Sequence, residues 1–356
     1  MTLRTLLALG AILFALSTLS VQAEDERRPG DGSSLTLYFE NDLFAATDRY
    51  YTNGMRLSWL SRDLQTIEGN NEWAEVLRPI LDFLTKEDPD YTHNVGIALG
   101  QGMYTPQDVF NRDLVPNDRP YAGWTYLALS LHRKNDRQLH VVELSLGMIG
   151  DYSFAHETQD AVHDIRNIRK SEGWDHQLDN EPGLILTYDH RRRYATSLSD
   201  IGVDRWTDNK LGIDAIPYFS LSVGNVLTQA TVGTTVRVGW NLPKNFHSNR
   251  IRTAGYALGA SASAADKDQA HPGKLSVYLF TGLEGKAVAR DITLDGNTFA
   301  PSHSVDKENF VGEFEAGLGV RYDRFSFTYT YVVRTKEFTT QPENQEYVAL
   351  SFGYAF

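Results

Sequence analysis

Large apolar residues alternate with small or polar ones over most of this chain. The last ten residues show the pattern clearly. Val348, Leu350, Phe352, Tyr354 and Phe356 fall on one face of an extended strand, and Ala349, Ser351, Gly353 and Ala355 fall on the other. Phe314, Ala316, Leu318, Val320 and Tyr322 alternate in the same way with Glu313, Glu315, Gly317, Gly319 and Arg321. Val142, Leu144, Leu146 and Met148 alternate with Glu143, Ser145 and Gly147. Carboxylates at these positions would be ruinous in the dry core of a β-sandwich. They suit a barrel whose lumen is polar and whose apolar face meets lipid.

Twelve such segments are predicted, at about 34–41, 51–61, 94–103, 123–133, 138–149, 183–190, 214–224, 229–240, 275–290, 311–322, 324–335 and 345–356. The fold class is therefore all-β: a twelve-stranded antiparallel transmembrane β-barrel of the bacterial outer membrane. An even count puts both chain ends on the periplasmic side, and closure leaves no unpaired edge in lipid. A terminal Phe356 on such a strand resembles the sorting signal of bacterial outer-membrane barrels. Parity makes Lys134-Asn-Asp-Arg137 and Tyr322-Asp-Arg324 short periplasmic turns, and 62–93 and 241–274 long periplasmic connections. The first of these contains a helix-like stretch, Asn71 to Thr85, with Trp73, Val76, Leu77, Ile80, Leu81 and Leu84 on one face.

The N-terminus adds an address. Arg4, an apolar run from Leu6 to Leu19 and the small-x-small step Val21-Gln22-Ala23 predict a signal peptide cleaved after Ala23. Residues 24–356 then form one barrel domain with its active groups in outward-facing loops. Loss of Arg4 takes the formal charge from −12 to −13, which argues against a nucleic-acid partner. The chain has no cysteine, so disulfides, thiolate metal sites and a cysteine nucleophile are excluded.

Three outward connections carry unusual polar clusters. Asn41 and Asp42 stand where the first strand leaves the membrane, Asp48 follows in the loop, and Thr52 opens the second strand. Gln159 and His163, four apart in the third outward connection, share one face if that stretch is helical. Carboxylate, amide and hydroxyl oxygens suit a hard cation such as Ca²⁺, and histidine is the usual general base near neutrality. Together they are sufficient for ester hydrolysis by activated water. The same residue types also build turns at strand ends, and Thr52-Asn-Gly54 also reads as hairpin chemistry. No G-x-S-x-G elbow and no H-E-x-x-H helix is present.

Phe39-Glu-Asn-Asp-Leu-Phe44 with Thr47-Asp-Arg-Tyr-Tyr-Thr-Asn-Gly54 resembles the signature of the lipid A 3′-O-deacylase family of outer-membrane barrels. Asp118-Arg-Pro-Tyr-Ala-Gly-Trp124 and the series Gln159, His163, Trp174, Gln177, Asn180 and Glu181 resemble its later motifs. The resemblance runs from about residue 34 to the C-terminus and implies a twelve-stranded barrel. It also implies a Ca²⁺-dependent hydrolase that removes the 3′-linked acyloxyacyl chain from lipid A in the outer leaflet; a monomer is expected. By this resemblance His163 is the general base, Asn41 and Asp42 hold the cation or the water, and Thr52 and Gln159 are positioning groups. The family also has a lysine in the second outward loop, after a Tyr-Ser/Thr-Pro step. Here the loop reads Tyr104-Thr-Pro-Gln-Asp-Val-Phe-Asn-Arg112, with Asn111 near the lysine position and Arg112 or Arg119 as its candidate replacements. Two other readings stay open: a non-catalytic barrel serving as a channel or structural protein, and an outer-membrane esterase that acts on phospholipid.

Overall fold

The computed structural model describes residues 32–42, 50–63, 91–197, 211–246, 249–252 and 275–356. The signal-peptide segment, the Asn71–Thr85 stretch and most of the two long periplasmic connections lie outside these residues.

The alternating segments form β1 (Ser34–Asn41), β2 (Tyr50–Leu60), β3 (Thr92–Thr105), β4 (Ala122–Lys134), β5 (Gln138–Ile149), β6 (Glu181–Arg192) and a short β7 (Tyr194–Ser197). They continue as β8 (Leu211–Gly224), β9 (Leu227–Trp240), β10 (Leu275–Asp291), β11 (Phe310–Tyr322), β12 (Phe325–Arg334) and β13 (Gln345–Ala355). Neighbouring strands pair antiparallel throughout. β1 pairs with β13, and β6 with β8, so the sheet closes on itself. β7 prolongs β6 past Arg193 and pairs with the lower half of β8. The result is a closed barrel of twelve staves. No helix among the described residues is long and apolar enough to cross a membrane; the strands cross it.

Period-two patterning decides which way each side chain points. On β11, Phe314 is 42% exposed on the outer wall, while Glu313 and Glu315 are each 3% exposed in the lumen. On β12, Phe325 and Tyr329 face outward, and Thr328 and Thr330 are sealed inside. The outer wall of β3 to β6 carries Ile97, Leu99, Leu127, Leu129, Leu146, Leu184 and Leu186, an apolar band of the kind lipid requires.

The lumen is lined by paired charges. Arg56 meets Glu143 at 2.6 Å, and Arg237 meets Asp214 at 2.6 Å. After β9, the chain turns at Asn241 (φ 49°) and folds back inside the barrel. Arg237 donates to the carbonyls of Pro243 and Asn245, and Phe246 packs against Leu139, Val141 and Ile216. Further along, Arg250 binds Glu313 and reaches Glu315 at 2.9 Å, while Arg252 reaches Glu284 at 2.9 Å. Glu313 also receives Lys286 and Arg334, each at 2.5 Å. Burying this many charges is tolerable only because each is matched by hydrogen-bonded partners. A plug of this kind weighs against the channel reading.

Candidate active site

The third outward connection begins by folding down over the outside of the wall. Gln101 on β3 and Thr125 on β4 share faces with Leu99 and Leu127, so both point away from the lumen. Both donate to the carbonyl of Ser153, at 2.8 and 2.6 Å. Helix α1 (Ala155–Arg166) follows and lies against β3 and β4. Gly123 makes this approach possible: a Cβ there would stand 2.0 Å from Ser153 Oγ and 2.4 Å from the Cβ of Ala155. Ala155 is then buried with Met103, Tyr121 and Trp174.

Between α1 and the wall lies a cleft. Asn41, Thr52, Asn53 and Met103 line it from the barrel, and Gln159, His163 and Arg166 line it from the helix. Asn41 is outward by parity, on the face of Leu37 and Phe39. Thr52 is brought to the same face by a β-bulge. In the β2–β3 ladder Tyr51 pairs with Tyr104 and Asn53 with Met103, so Thr52 is the extra residue. A bulge lets two consecutive side chains share one side of a sheet and re-aims them. Tyr51 turns into the lumen and donates to Glu40 at 2.7 Å, while the Thr52 hydroxyl meets the Thr105 hydroxyl at 2.7 Å. Asn41 Nδ2 donates to the Thr52 carbonyl at 3.0 Å, tying β1 to the bulge.

The helix supplies the chemistry. Gln159 and His163 are one turn apart, 4% and 5% exposed, on the face toward the wall. Asn167 ends the helix in the left-handed conformation at φ 52°, which asparagine tolerates better than most residues. The chain then reverses, Ile168 N–H donates to the carbonyl of His163, and the Arg169 carbonyl comes back to His163 Nδ1 at 2.8 Å. A carbonyl only accepts, so Nδ1 carries the proton and Nε2 is the basic nitrogen. Trp174 orients the neighbouring amide. Its indole N–H only donates, so the 2.6 Å bond to Gln159 assigns Oε1 to that side. Gln159 Nε2 is buried without a hydrogen-bond partner among the described residues.

The structure thus brings Asn41, Thr52, Gln159 and His163 to one cleft. Asp42 is fully buried at the end of β1, next to Asn41, and does not line it; Asp48 lies outside the described residues. Neither arginine expected to replace the lysine reaches the cleft. The Arg112 side chain is 80% exposed and binds Glu172 at 2.5 Å; Arg169 shares that carboxylate at 2.8 Å. Hydrogen bonds from Arg169 and Arg112 hold the Glu172 carboxyl below the usual carboxylate range. Arg119 is sealed at the top of the lumen, donating to Glu337 at 3.1 Å and Thr293 at 2.7 Å over the Tyr104 ring. The remaining motif residues hold the loops together. Asn180 accepts from Tyr152 N–H, Glu181 accepts from Asn225 and Thr298, and Leu178 N–H donates to Tyr121. Sequence reasoning missed Asn53, Met103 and Arg166. The helical spacing from Gln159 and His163 to Arg166 was a signal that could have found the last.

Comparison with known proteins bears on this arrangement. Among solved structures, the chain is similar to LpxR from Salmonella typhimurium, at 19% identity and a TM-score of 0.69, with 91% of this chain and 100% of that chain covered. The beta domain of the Bordetella autotransporter BrkA is far more remote, at 8% identity and a TM-score of 0.40 over 91% of this chain and 99% of that one. No curated protein sequence matches. The family model described as "Outer membrane protein LpxR" matches residues 7–356. With the barrel and its match running along nearly the same length of sequence, this chain belongs to the LpxR family of outer membrane proteins.

Proposed function

We propose that this protein is a lipid A deacylase that hydrolyses the ester holding the 3′-linked acyloxyacyl chain. One observation carries the reading: a histidine with its Nδ1 proton committed to a backbone carbonyl stands in a cleft on the outer wall of the barrel, beside the amides and hydroxyl of Asn41, Gln159 and Thr52. In this scheme Nε2 of His163 takes a proton from water as the water oxygen attacks the ester carbonyl. The N–H₂ of Gln159, without a partner among the described residues, donates to the carbonyl oxygen as it gains charge, a role that pre-aimed donors perform well. Thr52 and Asn41 hold the water and the ester group. Nε2 then returns its proton to the departing sugar oxygen, leaving a free carboxylic acid and a sugar hydroxyl.

The donor chemistry at the ends of β1 and β2 fits Ca²⁺, because Asp42, Asn41 and Thr52 offer only oxygens once Asn41 Nδ2 is committed to a carbonyl. Among the described residues no three acidic or histidine side chains converge, so Asp42 and Asn41 would need help from water, backbone or Asp48. Bound there, Ca²⁺ would supply positive charge against the developing oxyanion.

The test is mass spectrometry of lipid A from cells with and without the protein. Loss of the 3′-linked acyloxyacyl mass is expected with it, together with cessation of release in excess chelator and recovery on adding Ca²⁺. Unchanged lipid A alongside hydrolysed phospholipid would replace the substrate; activity in excess chelator would remove the metal.

A further inference from the structure

We infer that Arg166 is the phosphate-recognition residue of the cleft, holding an anionic phosphate on the sugar that carries the scissile ester. The inference rests on the deacylase reading for its substrate class, but its own ground is the placement of charge. Arg166 lines the cleft with His163 and Gln159, and is the fixed positive charge among the residues lining it. Steps of four and three from Gln159 to His163 to Arg166 keep all three on one helical stripe.

The neighbouring carboxylates are engaged elsewhere. Asp160 and Asp164 are bridged by Lys170, at 3.2 and 2.9 Å, and Glu172 is shared by Arg112 and Arg169. Arg166 itself is exposed and makes no ion pair or side-chain hydrogen bond with the described residues. An arginine in this position presents a planar fork of donors, a geometry that matches a phosphate through two parallel bonds. It has no acid–base role, because guanidinium keeps its proton. A sugar phosphate seated there would fix the ring, and with it the ester, against the base three residues away. Arg166 is in this sense a positioning and specificity residue. The competing account is that it only offsets the partial negative charge at the helix C-terminus, which would give a small stability effect blind to the lipid.

The experiment measures binding of lipid A with its phosphates, and of the same lipid after phosphatase treatment, in detergent micelles. It uses full-length protein carrying His163→Asn, so that turnover does not consume the lipid, and adds Arg166→Gln or Arg166→Lys. The expected result is a preference for the phosphorylated lipid that Arg166→Gln reduces by about tenfold or more, as for loss of charge-assisted bonds. Arg166→Lys should restore part of the preference, since lysine keeps the charge without the fork. Binding of the dephosphorylated lipid should be the same for all three proteins. Equal binding of both lipids by the Arg166 protein, or an equal loss on both lipids in Arg166→Gln, overturns the inference. If wild-type protein releases no acyl chain from either lipid, while the phosphate preference and its dependence on Arg166 persist, the esterase reading fails and the recognition site stands.

Discussion

Inside the barrel, Glu313 accepts from three cations: Arg250, Lys286 and Arg334. On the wall outside, among the described residues, Gln159 keeps an amide N–H₂ without a partner and Arg166 makes no ion pair. The lumenal charges are ion-paired, whereas the cleft leaves groups in waiting, a cation and an amide N–H₂. Satisfied groups hold a structure together. Groups in waiting cost stability and gain meaning only when a ligand arrives. The comparison assigns the lumen to stability and the wall to chemistry, although the lumen holds many more charged residues.

Substitutions on the two sides should therefore separate. The largest effect is expected from His163→Asn, which should slow acyl release by about 10²–10⁴-fold, the usual range for losing a general base. Correct insertion, read by heat-modifiable migration on gels, should be retained. Release at the wild-type rate would move the base elsewhere and dissolve the distinction. Next is Glu313→Ala, which removes the carboxylate shared by Arg250, Lys286 and Arg334; each keeps a second one, in Glu315, Glu284 and Glu337 respectively. A loss of about 1.5–3 kcal/mol is expected for losing charge-assisted bonds whose cations keep other partners, with the rate per folded molecule nearly unchanged. Thermal unfolding and acyl release on the same preparation check both halves, and a rate loss without destabilisation would show that the lumen takes part in the reaction. Trp174→Phe should lower the rate about three- to tenfold by freeing the Gln159 amide to turn, in line with one neutral hydrogen bond. Smallest is Arg112→Ala: its pair with Glu172 is solvent-exposed and screened, so stability and release should both be unaffected. A large rate loss there would restore Arg112 as the cleft's cation.

The strands were legible because lipid enforces a strict rule. A one-residue slip on β11 would put Glu313 and Glu315 into the hydrocarbon, so the period of two survives in the sequence undiluted. The proximity of Gln159 to His163 was legible for a similar reason, as one turn of a helix. The rest depended on loop geometry that no local pattern encodes. Nothing in Tyr51-Thr-Asn-Gly54 announces that Thr52 is the extra residue of a bulge. The second outward loop lacks the lysine and carries Arg112 and Arg119; burial of Arg119 and pairing of Arg112 keep both out of the cleft. Its cation stood three residues beyond His163, within a periodicity already recognised. The return of residues 243–246 and 249–252 into the lumen was equally silent, since a periplasmic connection gives no sign of which way it folds.

The cleft lies on the outside of the barrel wall, at the outer ends of strands whose outer faces carry leucines. In the proposed reaction an acylated substrate would meet His163 while its chains stay among those of its neighbours. Lifting a chain of about ten methylenes out into water would cost about 8 kcal/mol. A site at the mouth of the barrel would face that expense in each turnover, in addition to the chemical barrier. A site on the wall, as proposed, would avoid it: the search for substrate would become diffusion in two dimensions, and the released fatty acid would already be in the phase where it is most soluble.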